Sequence, residues 1–249
     1  MRLTVLGAQS PYPGPGGATA GYLLHTDQVN LLIDCGSGVL SQLGRYCPIE
    51  KLDALVVTHY HHDHMADVGV LQYGLMVQQT LGQRPADAPL PIYGPREERT
   101  VADQMNYKEA TRFHPIDETT ELVLGDLRLT FRRTDHPVLC YAVRIHWHDR
   151  VIVYSADTGP GTDWGDFLSG ADLFICESTF LDRNQPKQPT GHLSVRQAAA
   201  LAEANRCGEL WLTHLFYAYQ EDELLQEAMA YQAGICRVAR SGLTWESKQ

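Results

Sequence analysis

Short apolar runs, many of them β-branched, recur along the 249-residue chain: RLTVLG (2–7), VNLLIDCG (29–36), LDALVVTH (52–59), LPIYG (90–94), LRLTFRR (127–133), YAVRIHW (141–147), RVIVYSAD (150–157), DLFICES (172–178) and ELWLTH (209–214). Runs of this length between turn residues predict strands. Three stretches carry apolar residues at helical spacing instead. VGVLQYGLMVQQTL (68–81) is one. SVRQAAALAEANRCG (194–208) is a second; Ser194 with Gln197 three residues on makes a capping-box pattern, and Gly208 is expected to close the far end. EDELLQEAMAYQ (221–232) opens on acids that suit a helix N-terminus. Strands first follow one another and then alternate with helices, which predicts a layered α/β fold. Between elements lie loops, among them PYPGPGGATAG (11–21), either a flap over a site or a wide turn, and GQRPADAPLP (82–91).

The polar residues that stand out sit where the predicted strands stop. THYHHDH (58–64) packs four of the eleven histidines and an aspartate into seven positions. On an extended backbone His59 and His61 point to the same side. Asp63 and His64 follow where a helix is expected to begin, so one short segment can face two cations. Neutral imidazole and carboxylate are the ligands borderline metals take. His136, Asp157 and His214 close three other strands and supply the further ligands; a carboxylate such as Asp157 can bridge two ions. Glu177 and Asp34 also end strands. The carboxyl edge of such sheets is where ligands gather.

Composition narrows the classes. With 44% apolar and 20% charged residues, the chain can bury a sizeable core, and 249 residues fit one domain, expected over 1–249. No apolar run reaches the length of a membrane span, and the opening MRLTVLGAQS reads as a first strand rather than a signal peptide. The six cysteines form no CxxC pair, which excludes a zinc ribbon or a thioredoxin-type site and fits buried thiols in a reducing cytoplasm. A net charge of −10 opposes loose binding to nucleic acid. A local patch of Arg84, Arg96, Arg99, Lys108 and Arg112 is weighed against a plain solvated face, and the solvated face is preferred.

The set of motifs resembles the metallo-β-lactamase superfamily, and within it the ribonuclease Z-like phosphodiesterase branch. VNLLIDCGSG, THYHHDH, TDHPVLCYAVRI, VYSADTGP, CESTF, GHLS and LTHLFYAY carry the likeness over nearly the whole chain. The resemblance implies a four-layer αββα sandwich with its site at one edge. It implies two divalent ions with a water between them as nucleophile; the all-nitrogen-and-oxygen donor set fits zinc best, with manganese or iron as alternatives. His59, His61 and His136 fall to one ion, Asp63, His64 and His214 to the other, and Asp157 bridges. It further assigns catalytic roles to Asp63, His192 and Glu177, with His192 as general acid oriented by Glu177.

One departure matters. Ribonuclease Z has a long glycine- and proline-rich arm that grips tRNA, and residues 82–126 here form only a short connection. A small or cyclic nucleotide phosphodiester is therefore expected as substrate, with tRNA 3′-end processing disfavoured. A thioester, lactone or β-lactam hydrolase of the same fold, a diiron oxygen-reducing enzyme and a non-catalytic metal-binding protein are the rivals. A homodimer is expected by resemblance only. Of the other polar residues, His62 is expected to point away from the metals, and His146 and His148 to alternate on a strand facing solvent. His25 and His114 have no evident partner. Asp34 steadies a ligand or forms a turn. Tyr217 and Tyr219 either line the pocket and stack a base or pack in the core.

Overall fold

The computed structural model describes residues 1–96, 99–188, 190–232 and 234–247, with residues 99 and 100 described as backbone only. The strands are β1 (Arg2–Gly7), β2 (Gly21–His25), β3 (Asn30–Ile33), β4 (Ala54–Val56), β5 (Leu90–Pro95), β6 (Thr111–Ile116), β7 (Glu121–Leu124), β8 (Leu127–Arg133), β9 (Tyr141–Trp147), β10 (Arg150–Tyr154), β11 (Leu173–Glu177), β12 (Glu209–Thr213), β13 (Ile235–Val238) and β14 (Thr244–Glu246). The α-helices are α1 (Val39–Leu43), α2 (His62–Met65), α3 (Val68–Thr80), α4 (Arg99–Gln104), α5 (Val195–Ala204) and α6 (Glu221–Met229). One sheet has the order β14-β1-β2-β3-β4-β5-β6, the other β13-β12-β11-β10-β9-β8-β7.

The period-two alternation of the central strands explains the layering. In β3, Leu31 and Ile33 enter the core between the sheets while Leu32 faces α1 and α3. In β11, Leu173 and Ile175 enter the same central core while Phe174 and Cys176 pack under α5 and α6. Strands buried on both faces read as continuous apolar runs, and helices must cover their outer faces. The result is the expected αββα sandwich, with three apolar clusters separating four layers.

Among the described residues all nine expected strands are present, and five more join them. β2 emerges directly from the glycine-rich loop. β6 contains Pro115, β7 has four residues, and β13 and β14 are half-exposed. Such edge strands lack the apolar run that marks a central one. Two local expectations are corrected. α5 has its full capping box, but Gly208 does not close it. Arg206 takes the left-handed conformation after the helix (φ 54°), and Gly208 instead lies so close to the Asp172 carbonyl that a Cβ would sit 2.8 Å from it. His148 is exposed as expected but leaves the strand for the β9–β10 turn (φ 52°), while His146 is half-buried and accepts from Arg144 Nε at 3.1 Å.

β3 and β4 are parallel, as are β10, β11 and β12, and β8 runs in the same sense as β10 because both are antiparallel to β9. The carboxyl ends of β8, β10, β11 and β12 therefore share one edge. No described helix is long and apolar enough to cross a membrane.

The capping box makes a direct test. Ser194→Ala is expected to lower the unfolding free energy by about 1 kcal/mol, and Ser194→Gly by only a few tenths. Urea denaturation reads both; an alanine variant as stable as the parent would deny the cap its role.

Candidate metal centre

Three turns at the strand ends adopt a conformation that non-glycine residues seldom take. Asp34 (φ 57°), Ala156 (φ 50°) and His214 (φ 59°) are all left-handed. Each costs on the order of 1–2 kcal/mol and persists only where its surroundings enforce it. The three flank or form the cluster of histidines and carboxylates.

The ligand atoms of His59, His61, His136 and Asp157 lie within 4.8 Å of one another, and so do those of Asp63, His64 and His214. Asp157 divides its oxygens between the groups. Its Oδ2 is 3.4 Å from His59 Nε2 and 3.7 Å from His136 Nε2. Its Oδ1 is 3.1 Å from His64 Nε2 and 3.3 Å from His214 Nε2. His214 Nε2 also lies 3.2 Å from Asp63 Oδ2, and His136 Nε2 is 3.1 Å from His61 Nδ1. All seven residues picked out at strand ends and in the histidine-rich turn thus converge. His62 is exposed and turned away from them.

The donor set fits cations. His59 Nε2, His64 Nε2 and Asp157 Oδ1 are buried and have no hydrogen-bond partner. Leaving three such atoms dry and unpaired is costly, and a cation among them removes the cost. Burial, together with the neighbouring His64 charge, lowers the His59 pKa to about 4. Burial likewise lowers His136 to about 4. Both are therefore neutral lone-pair donors near pH 7. Burial also opposes ionisation of Asp63, but the His214 hydrogen bond and the charges of His64 and His214 outweigh it and hold the carboxyl well below the usual range. His64 behaves oppositely. Burial alone would neutralise it, yet Asp157 and Asp34 hold its pKa well above the ordinary value. A metal ion held by His64 would take the place of that proton, so metal binding would release protons.

A further set of residues fixes the rings. Asp34 is fully buried and accepts from His64 Nδ1 at 2.8 Å, the Thr58 backbone N–H at 2.8 Å and Tyr154 O–H at 3.1 Å. Asp34 thus takes both expected roles, forming a left-handed turn (φ 57°) and steadying His64. His59 Nδ1 lies 3.2 Å from Thr58 Oγ1, His136 Nδ1 donates to the Gly191 carbonyl at 3.0 Å, and His214 Nδ1 lies 2.8 Å from Thr179 Oγ1. Gly191 (φ 77°) has to be glycine, since a Cβ there would be 2.6 Å from Pro137 Cδ. Ser10 Oγ donates to Asp63 Oδ2 at 2.9 Å. Sequence reasoning missed Thr179, Gly191 and Ser10. Thr179 and Gly191 lie inside motifs it had quoted; Ser10 left no signal, being 53 positions from Asp63.

Glu177 is buried under five donors: His192 Nδ1 (2.9 Å), Thr179 Oγ1 (2.8 Å) and the backbone N–H groups of Thr158, Thr179 and Leu193. His192 stacks on His214 with ring centres 5.2 Å apart. Burial works against its charged form, but the hydrogen bond to Glu177 and the carboxylate charge prevail and raise its pKa to about 8. His192, Asp157 and His214 also form a third grouping within 4.8 Å.

The remaining residues have structural roles. Arg84 is not part of a basic patch; it is buried and donates to the carbonyls of Glu50, Leu52 and Ala88. Arg112 pairs with Glu109, Lys108 lies over the Tyr107 ring, Arg96 is exposed, and the Arg99 side chain lies outside the described residues. His25 bonds Asn30 and His114 lies against Tyr93.

Fold and site together define a hydrolase-type metal centre of the β-lactamase class. A family model described as "Beta-lactamase superfamily domain" matches residues 29–215, and the chain belongs to that superfamily. It is 39% identical to the "Probable metallo-hydrolase YhfI" of Bacillus subtilis, covering 99% of this chain and all of that one. The crystal structure of YhfI superposes with a TM-score of 0.94 at 38% identity, covering 99% of both chains. A ribonuclease Z of an Exiguobacterium species is 25% identical over 92% of this chain and 94% of its own. A structure titled as a new diphosphatase from the PhnP family shares the fold with a TM-score of 0.76 at 21% identity, over 99% of this chain and 98% of that one. The chain is a metallo-hydrolase of this superfamily.

Partners of a metal-ligating histidine commonly set metal affinity. Asp34→Asn is expected to weaken metal binding by roughly 10- to 100-fold in competition with a chromogenic chelator. Unchanged affinity would remove Asp34 from the centre.

Proposed function

We propose that the protein is a dinuclear, zinc-dependent phosphodiesterase acting on a small or cyclic nucleotide. One observation carries this: Asp157 aims its two oxygens at two separate ligand groups, and the Glu177–His192 pair stands beside them. His59, His61, His136 and Asp157 Oδ2 would hold one ion, and Asp63, His64, His214 and Asp157 Oδ1 the other. An all-nitrogen-and-oxygen set suits zinc. Such ions, when bound, polarise phosphoryl oxygens and supply a nucleophilic water near neutral pH.

The chain's own residues do the rest. Glu177 holds His192 by Nδ1, which leaves Nε2–H to protonate the departing alkoxide. A raised pKa keeps His192 in the protonated form that an acid needs near neutral pH. Thr179 touches both Glu177 and His214, so acid and ligand share one support. An acid that protonates an alkoxide supports an oxygen leaving group, as in a diester, over the thiolate of a thioester, which departs without a proton. The net charge of −10 and the short 82–126 connection support a small substrate over tRNA. Six free cysteines agree with a reducing cytoplasm.

Hydrolysis of bis-(p-nitrophenyl) phosphate, with metal content by mass spectrometry, is expected to show turnover and two ions per chain. Asp157→Ala should lose both. His192→Ala should keep its ions and lose about 10²- to 10⁴-fold in kcat on a cyclic nucleotide, whose leaving alcohol is poor, but far less on the nitrophenyl diester. Two ions without diester cleavage would sink the phosphodiesterase reading.

The acid has to be protonated, so kcat should fall as pH rises through the His192 pKa. Glu177→Gln removes the carboxylate that raises this pKa and is expected to move the basic limb to lower pH. A limb that stays in place would dismiss His192 as the acid.

A further inference from the structure

Tyr12 and Tyr217 are 51% and 43% exposed and lie side by side. Their ring centres are 5.6 Å apart, and Phe216 backs both at 6.3 and 5.0 Å. They come from opposite ends of the chain, yet the loops that carry them are joined beside the metal centre. The Ser10 N–H donates to the Leu215 carbonyl at 3.0 Å, and the Leu215 N–H donates to the Ala8 carbonyl at 2.9 Å. Leu215 follows His214, and Ser10 bonds Asp63 through its hydroxyl. Tyr217 is three residues from one ligand and Tyr12 two residues from the partner of another, a reach of at most roughly 10 Å.

The loop is shaped around the ring. A Cβ on Gly14 would lie 2.9 Å from Tyr217 Cδ2, so only glycine lets the 11–21 loop lie against it. Packing of this kind holds an exposed ring in place, and a ring already fixed loses little entropy when a ligand stacks on it.

We propose that Tyr12 and Tyr217 form a stacking platform for the nucleobase of a nucleotide whose phosphate enters the metal centre. This deepens, and rests on, the phosphodiesterase reading above. It makes the glycine-rich loop part of the binding site and assigns Tyr217 the base-stacking role; Tyr219 instead turns inward against Phe216, ring centres 5.9 Å apart. Stacking is tolerant of base identity, because every base has a π-face, and contributes roughly 1–3 kcal/mol per base.

Calorimetric titration of the metal-loaded full-length protein tests the platform independently of turnover. Adenosine 5′-monophosphate should bind about 10- to 100-fold more tightly than ribose 5-phosphate. Tyr12→Ala and Tyr217→Ala should erase most of that difference while ribose 5-phosphate binding stays put. Tyr217→Trp should keep it, and Gly14→Val, which displaces the ring, should lose it. A dinucleotide that binds more tightly than the mononucleotide would support the platform with an oligonucleotide end as occupant; equal binding would support it with a free nucleotide. Equal affinity of the parent protein for the two phosphates, or alanine variants that keep the preference, would overturn it. Absence of diester cleavage with intact base binding would strike the activity reading alone.

Discussion

Asp157 lies at the carboxyl edge of the second sheet, 1% exposed, with histidine nitrogens facing both of its oxygens. A carboxylate this deep has to be matched by positive charge, and the sandwich is arranged to supply it. Histidines from the β4–α2 turn approach from one sheet, and His136 and His214 approach from the other. Two neutral imidazoles on the Oδ2 side do not provide that charge by themselves. The orphaned atoms of His59, His64 and Asp157 are where a cation would complete the balance.

This demand explains the surroundings. An imidazole aims one nitrogen at a metal only if the other is held, and here an aspartate, two threonines and a backbone carbonyl do the holding. Left-handed turns at Asp34, Ala156 and His214 store strain at the points where strands hand over to ligands. Two wide, well-packed sheets absorb that cost. The same edge carries Glu177 and His192, so the proposed proton donor is set in the same frame as the candidate metal ligands.

Much of this was legible in the chain. Apolar runs marked the central strands because strands buried on both faces leave no room for polar alternation. The edge strands β6, β7, β13 and β14 were not legible, since they are short, half-exposed and defined by their partners. The ligands were legible because imidazole and carboxylate clustered at strand ends have few other uses. Ser10, Thr179 and Gly191 were not, because their roles depend on which remote atom they meet.

By itself the sequence determined the layered α/β architecture and the seven converging residues, which follow from residue type and local period; the pairing of Glu177 with His192 came from the family resemblance. Only the tertiary structure decided how Asp157 divides its oxygens, that Asp34 at its turn also holds His64, and that Tyr12 meets Tyr217. Those are contacts between segments far apart in the chain. Their geometry is set by how the sheets stack and where the turns bend, and no local pattern encodes it.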